Sequence, residues 1–324
     1  MKVILRSDQM KNKKYIYTWE SNGKEITDID ILNYIKKLVI PPAYKNVNIF
    51  YPGLGKKDPK ILYMGIDNKN RPQFIYSKWW SLMSRELKFC TLIKFGEALP
   101  EIKKDIKNNI LTINNKPSKV QIISLILRII SMCYFRIGNV KYSKTYNSYG
   151  ISTIHKKHVK VINDRLEITF IGKKGVLNTC NIVDKLVIKH VQRLCTLFPK
   201  GYIFQYYDNG YNHIKHTDIN NFLKKYNPDF TSKLFRTYDT NILLISRFIN
   251  NRGNLKERKK TVIQSLKEVS EIVHNTPAIC KKDYADPDLI KEYIEHPTRF
   301  DRDFNNNDSK ENNFMKWLKK TKKC

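Results

Sequence analysis

Hydrophobic and polar positions change their period near residue 80. Before it, short alternating runs rich in β-branched and aromatic residues predict strands at Val3-Ile4-Leu5, Tyr15-Ile16-Tyr17-Thr18-Trp19, Asn48-Ile49-Phe50-Tyr51, Ile61-Leu62-Tyr63-Met64 and Gln73-Phe74-Ile75-Tyr76. Turn formers separate them at Asn22-Gly23, Pro52-Gly53 and Asp67-Asn68-Lys69-Asn70. A helix from about Asp28 to Leu38 interrupts the strands, and Pro41-Pro42 stops it.

Beyond Lys78-Trp79-Trp80 the spacing is mostly helical. The exception is Val159-Lys160-Val161-Ile162, a turn at Asn163-Asp164, and Leu166-Glu167-Ile168-Thr169-Phe170, which read as a hairpin. Ile171-Gly172-Lys173-Lys174-Gly175 makes a second turn before Val176-Leu177, so Lys173 is expected at the tip of a small three-stranded antiparallel sheet. Val262, Ile263, Leu266, Val269, Ile272 and Val273 recur at helical spacing; Asn275 and Pro277 end that helix and leave His274 at its C-terminus. The expected class is α+β: a small β-rich domain over residues 1–80, then a larger, mostly helical domain over residues 81–304. Residues 305–324 read as a polar linker, Asn305 to Lys310, and a Lys-rich segment with Phe314, Trp317 and Leu318 on one side.

Composition narrows the partner. Lys and Arg outnumber Asp and Glu by 60 to 30, a formal net charge of +30, in a chain of 324 residues that is 41% hydrophobic and 12% aromatic. Such a chain can bury real cores, which excludes a disordered polycation, and its excess charge points to a polyanion, with nucleic acid first. The six cysteines (Cys90, Cys133, Cys180, Cys195, Cys280, Cys324) form no CxxC pair and read as reduced intracellular thiols. His213-x-x-His216 lacks a nearby cysteine and reads as a solvated loop pair, not a metal site. Met1 to Arg6 does not resemble a signal peptide. The apolar run from Val120 to Phe135, broken by Ser124, Arg128 and Ser131, falls short of the roughly 20 apolar residues a membrane span needs and reads as a buried helix.

Several residue types present here suit attack on a phosphodiester. Guanidinium groups present a planar donor fork that stabilises charge on the equatorial oxygens, a positioned lysine can protonate a leaving sugar oxygen, and a tyrosine amid positive charge can serve as nucleophile. Arg136 follows a buried helix at Phe135-Arg136-Ile137-Gly138, Arg236 lies in Lys233-Leu234-Phe235-Arg236-Thr237-Tyr238, and His274 precedes Tyr284. Taken singly each has a plainer reading: a helix-end arginine, a turn lysine at 173, a core-edge arginine, a helix C-cap, a packing tyrosine.

In order, Phe135-Arg136-Ile137-Gly138, Phe170-Ile171-Gly172-Lys173-Lys174-Gly175, Lys233 to Tyr238, and Val273-His274-Asn275-Thr276-Pro277 with Tyr284 resemble the successive active-site motifs of type IB DNA topoisomerases, above all the short enzymes of poxviruses and other large DNA viruses. The resemblance covers most of the chain and implies the fold these enzymes share with tyrosine recombinases. It makes Tyr284 the nucleophile of a 3′-phosphotyrosyl bond, gives Arg136, Arg236 and His274 the non-bridging oxygens, and gives Lys173 the leaving 5′-oxygen. Tyr142 and Lys233 match positions near the scissile phosphate. Gly65 to Tyr76 resembles the viral segment whose Gln73, Phe74 and Tyr76 equivalents touch bases; an amide such as that of Gln73 can pair with an adenine edge, whereas strand core is the plainer reading of Phe74 and Tyr76. Lys174-Gly175 departs from the poxviral pattern. The implied partner is double-stranded DNA, held by a monomeric clamp without ATP, metal, membrane or an obligatory protein partner, inside the cell; for a viral protein, in the virion and the host cytoplasm. A tyrosine recombinase uses a similar set but carries His-x-x-Arg before its second arginine, where this chain has Lys233-x-x-Arg236. A non-catalytic basic DNA-binding protein is the other alternative, and the filled catalytic positions speak against it.

Overall fold

Alternation near the N-terminus builds a six-stranded antiparallel sheet in the order β3-β2-β1-β4-β5-β6, from β1 (Lys2–Lys11), β2 (Lys14–Ser21), β3 (Lys24–Glu25), β4 (Lys45–Tyr51), β5 (Ile61–Ile66) and β6 (Pro72–Tyr76). The computed structural model describes residues 2–11, 14–251, 253–322 and 324. One face of the sheet buries Ile4, Val47, Ile49 and Tyr63 against Ile31 and Ile35 of α1 (Ile29–Lys37), whose N-terminus is capped by the Asp28 carboxylate. Arg6 lies on an inner position too; its guanidinium reaches the carbonyls of Pro41 and Pro42 and covers the Tyr17 ring at 4.3 Å, so its charge is not left bare.

Contacts divide the chain into residues 1–88 and 89–324. That division falls later than the expected 80 because α2 (Lys78–Leu111) is continuous across it. Trp79 still bonds the Asp58 carbonyl at 2.8 Å, while burial on the second core begins at Phe89, Leu92 and Phe95.

The second unit is helical. Its central helix α3 (Lys119–Cys133) starts on a Ser118–Gln121 capping box, is buried on nearly every side, and ends with Tyr134 in the left-handed region at φ +57°. The short α4 (Val140–Tyr146) follows. The expected three-stranded sheet is present as β7 (Val159–Ile162), β8 (Arg165–Ile171) and β9 (Leu177–Ile182), all antiparallel. Then come α5 (Lys185–Leu197), the small hairpin of β10 (Gln205–Tyr207) and β11 (Tyr211–His213), and α6 (His216–Leu223). The remaining helices are α7 (Lys233–Ile249), α8 (Leu255–Ile272), α9 (Pro277–Asp283), α10 (Pro287–Glu295), α11 (Pro297–Phe304) and α12 (Lys310–Thr321). Aromatic edges knit the core: Phe95 meets Phe235 at 4.9 Å and Phe230 at 5.5 Å between ring centroids, and Phe248 stacks on Tyr293 at 4.2 Å. No helix among the described residues is long and apolar enough to cross a membrane.

α12 buries Phe314, Trp317 and Leu318 to 2% exposure or less in the core of the second unit, since an amphipathic helix must cover its apolar side. Two expectations are corrected. The cysteines are not all free. Cys133 is bonded to Cys180 and Cys90 to Cys324, leaving Cys195 and Cys280 as buried thiols; partners 47 and 234 residues apart meet only through the fold. Finally, His213 is no solvated loop residue. It ends β11, half-buried beside Tyr202, and lines a cavity of about 430 Å³ with Gly138, Ser152 and His216. Among the described residues no group of side chains suited to hold a metal is present.

Candidate active site

Four of the five residues singled out as catalytic converge on one corner of the second unit. Arg236 comes from the first turns of α7, a helix so enclosed that Leu234, Phe235, Arg236, Thr237 and Tyr238 are all buried. A guanidinium at 3% exposure must find acceptors. One amino group donates to the Tyr284 phenol oxygen at 3.0 Å, the other to the Val273 carbonyl. Burial pulls its pKa down to about 10, which leaves it charged at neutral pH. Its Nε–H is buried and has no hydrogen-bond partner, so one donor of the fork stays open.

Tyr284 closes the short helix α9. That helix begins at Pro277, with Thr276 as its N-cap, and leads directly into the tyrosine. The Tyr284 ring is 5% exposed, with the Arg236 guanidinium carbon 4.9 Å and the Lys233 ammonium 5.3 Å from its centroid. Two cationic groups, Arg236 and Lys233, therefore face one phenol, an arrangement that stabilises negative charge building on its oxygen.

His274 sits just past the end of α8 at φ +51°, a left-handed conformation that a non-glycine residue adopts only when its surroundings hold it. The holding contacts are visible. Its ring lies 5.1 Å from that of Phe135, and Nε2 is 3.0 Å from the Cys133 carbonyl, which assigns the proton to Nε2. Burial above all brings its pKa down to about 4, with the Cys133 bond opposing and the Arg236 and Arg136 charges adding to the effect. It is a neutral donor near pH 7.

Arg136 is placed by backbone. After α3, Phe135 turns back into the core against Phe170 at 4.8 Å. The chain then crosses itself: Ile151 N–H donates to the Arg136 carbonyl at 2.9 Å and Ser152 N–H to that of Ile137 at 2.7 Å. Gly138, at φ +110°, passes so close to Gly150 that a Cβ on Gly150 would lie 2.4 Å from the Gly138 nitrogen. The guanidinium thus delivered bonds the His274 carbonyl at 3.3 Å and Asn275 Oδ1 at 2.5 Å.

Lys173 is the member that the described contacts do not join to the others. It stands exposed at the β8–β9 turn, where Lys174 and Gly175 take left-handed conformations and Gly172 presses on Asn178. Tyr142 is 49% exposed on α4, 6.1 Å from Tyr146, and Lys233 is exposed at the start of α7. In the first unit, Phe74 and Tyr76 are each 43% exposed on the edge strand β6 and are not core. Gln73 points to the opposite face, where it donates to Asp67 at 2.9 Å; the Arg71 side chain bonded to the same carboxylate holds that group down to about 2.

Sequence reasoning missed Asn241. Its amide donates to the Tyr284 carbonyl at 3.1 Å and its Oδ1 accepts from Asp286 N–H at 2.7 Å, so it clasps the backbone on both sides of Ala285. Its position one turn beyond Arg236 on the same helix was the only available signal. The Gly138–Gly150 crossing and the Cys133–Cys180 bond were likewise invisible, because each joins distant positions.

A helical body with a small antiparallel sheet, two arginines and a histidine gathered at a buried tyrosine suits the handling of a phosphodiester. The chain belongs to the DNA topoisomerase I family: the family model of the eukaryotic DNA topoisomerase I catalytic core matches residues 77–308. It is also similar to the DNA topoisomerase 1B of Acanthamoeba polyphaga mimivirus, 29% identical over 303 residues that cover 89% of this chain and 87% of the relative. Similarity extends to the DNA topoisomerase 1 of Rabbit fibroma virus (strain Kasza), 22% identical with 82% of both chains covered, and to the DNA topoisomerase 1B of Vaccinia virus (strain Copenhagen), 23% identical over 81% of this chain and 85% of the relative.

Proposed function

We propose that the protein relaxes supercoiled duplex DNA as a type IB topoisomerase, through a transient single-strand break. The observation that carries this reading is the Tyr284 phenol oxygen 3.0 Å from the buried Arg236 guanidinium, with Arg136 and His274 in the same corner. Tyr284 gives up its phenol proton to water and attacks the phosphorus; the bond to the 5′-oxygen breaks as the bond to the phenol oxygen forms, leaving a 3′-phosphotyrosyl ester and a 5′-hydroxyl. Arg236, Arg136 and His274 donate to the non-bridging oxygens, exchanging protein acceptors for phosphate ones. Lys173, on its exposed turn, reaches the leaving oxygen and protonates it once DNA is bound. One ester replaces another, so no ATP is consumed: the strand rotates, and the 5′-hydroxyl reverses the attack.

The net charge of +30 supports duplex DNA as the partner, and binding should weaken steeply with salt as phosphates regain their counterions. Phe74 and Tyr76, exposed on the edge strand, are available to contact DNA, as are exposed Tyr142 on α4 and Lys233 beside the Tyr284 ring. The β-rich and helical units act as DNA-binding and catalytic domains of a monomer without an obligatory protein partner. The viral relatives extend the reading to action within an infected cell or virion.

The test is relaxation of positively and negatively supercoiled plasmid in EDTA without ATP. Wild-type protein should relax both, and Tyr284→Phe should bind DNA yet give neither relaxation nor covalent adduct. Relaxation by Tyr284→Phe would overturn the nucleophile; joining of two duplexes at a defined site in preference to relaxation would make the protein a recombinase.

A further inference from the structure

We propose that Lys322, from the last residues of the chain, is a positioning residue for the nucleophile: through Asp286 and Asn241 it fixes the backbone that carries Tyr284. The inference rests on Tyr284 as the attacking group.

A lysine in a Lys-rich C-terminal stretch is ordinarily solvated. The Lys322 side chain is 7% exposed, and Asp286 is fully buried. Its ammonium donates to Asp286 Oδ1 at 3.0 Å, lies 2.9 Å from Oδ2 as a bare ion pair, and donates to Asp288 Oδ2 at 2.5 Å. The rings of Phe89 and Trp317 cover it at 4.8 and 5.7 Å. A buried ion pair is seldom a source of net stability, yet either partner left alone is strongly unfavourable, so such a pair fixes geometry.

The geometry it fixes lies two residues beyond Tyr284. Asp286 caps α10 by accepting from Asp288 N–H at 2.9 Å, and its own N–H donates to Asn241 Oδ1. The Asn241 amide bonds the Tyr284 carbonyl and, at 2.8 Å, the Thr237 carbonyl of the helix that carries Arg236. Lys322, Asp286, Asn241 and the Tyr284 carbonyl thus form one chain of contacts that ends on the backbone of the residue whose phenol Arg236 meets. Tyr284 lies at the join of two helices, as the residue that ends the seven-residue α9 and, with Ala285 between, precedes Asp286 at the cap of α10, so the placement of Asp286 sets the backbone that carries it. The far end is anchored as well. α12 packs on α7 through Phe314 and Tyr238 at 5.6 Å, its Met315 fills the space over Gly96, and Cys324 is bonded to Cys90.

The consequence is separable from plain folding. The charged groups facing the Asp286 carboxyl are Lys322 and Asp288; burial raises its pKa, Lys322 opposes that, and Asp288 adds to it. Without Lys322 the carboxyl takes up its proton at a higher pH.

The experiment uses the full chain with protein in excess over supercoiled plasmid. Lys322→Met should slow relaxation at saturation by about tenfold or more while DNA affinity stays within about twofold. The acidic limb of its rate–pH profile should move to higher pH. Lys322→Arg should recover most of the rate, and adding Asp286→Asn to Lys322→Met should return the limb to its wild-type position. Lys316→Met is the control: its ammonium, on α12, pairs with exposed Asp308 just ahead of that helix, and its rate should equal wild type. Hydrogen exchange in Lys322→Met should quicken at residues 284–286 and not within α7. A wild-type rate and profile in Lys322→Met would overturn the proposal, as would slowing with an unmoved limb and exchange raised throughout the unit. Should the wild-type protein fail to relax plasmid, the functional reading falls, while the exchange comparison still decides whether Lys322 positions this segment.

Discussion

The Arg236 guanidinium donates to the Tyr284 phenol oxygen at 3.0 Å, from a helix so closed that the arginine is 3% exposed. The contact joins residues 48 positions apart and gives the site its order. Arg236 also holds the Val273 carbonyl, so the same side chain sets the backbone entering His274.

That double duty cannot be met by an ammonium. Arg236→Lys keeps the charge but has no planar fork to reach both the phenol and the carbonyl. We expect relaxation to fall by about 10²–10³-fold with DNA binding little changed, the usual scale for losing one preorganised donor. Initial relaxation rates and covalent adduct on denaturing gels are the measurements. A rate within about tenfold of wild type would place the contact outside the chemistry.

The His274 pKa near 4 carries a stability prediction. An unfolded histidine protonates near pH 6.5, and this one resists until about pH 4. Between those values the unfolded state binds the proton that the folded state refuses, so stability is full above pH 6.5 and declines as pH falls. The decline amounts to about 3 kcal/mol at its limit for this group, and His158, also brought down to about 4, adds in the same direction. Urea midpoints from pH 7 to pH 5 should fall, and His274→Gln should flatten part of the slope. An unchanged slope in that variant would contradict the buried neutral imidazole.

Gly150→Ala tests the crossing that delivers Arg136. The new Cβ would meet backbone, 2.5 Å from Gly138 Cα and 2.6 Å from the Arg136 carbonyl oxygen, with no flexible side chain to give way. We expect a loss of about 1–3 kcal/mol in stability from overpacking and a relaxation rate reduced by more than about tenfold because Arg136 shifts. A variant with lowered melting temperature but wild-type rate would show that Arg136 tolerates the displacement.

The cysteine pairing is checked by counting thiols. Denatured but unreduced protein should expose two titratable thiols, Cys195 and Cys280, and reduction should raise the count to all six. Reduction should also lower stability, by up to about 4 kcal/mol for the Cys133–Cys180 bond on chain-entropy grounds. Six thiols without reductant would restore the reading of free cysteines.

Much of this protein is legible in its sequence, and the reasons are local. Alternation in Val3 to Leu5 and in Leu166 to Phe170 predicts strands because a pleat has period two, and the turn at Lys173 follows from Gly172 and Gly175. The order of Arg136, Lys173, Arg236, His274 and Tyr284 carries the resemblance to type IB topoisomerases, and the match of residues 77–308 to the topoisomerase I catalytic core shows the family. Other features carry no local signal. Nothing near His274 announces a left-handed backbone, which Phe135 and the Cys133 carbonyl impose from the far side of the core. Nothing in the Lys-rich C-terminal stretch announces that Lys322 is buried on Asp286; residue type alone predicts solvent.

Sequence by itself therefore determined the elements, the charge that calls for a polyanion and the set of reactive side chains, since propensity, periodicity and composition are properties of neighbouring residues. Tertiary structure decided which donors meet the phenol, which cysteines bond, and which lysine is enclosed. Those outcomes depend on distance and desolvation between positions far apart in the chain, and such quantities exist only once the core has closed.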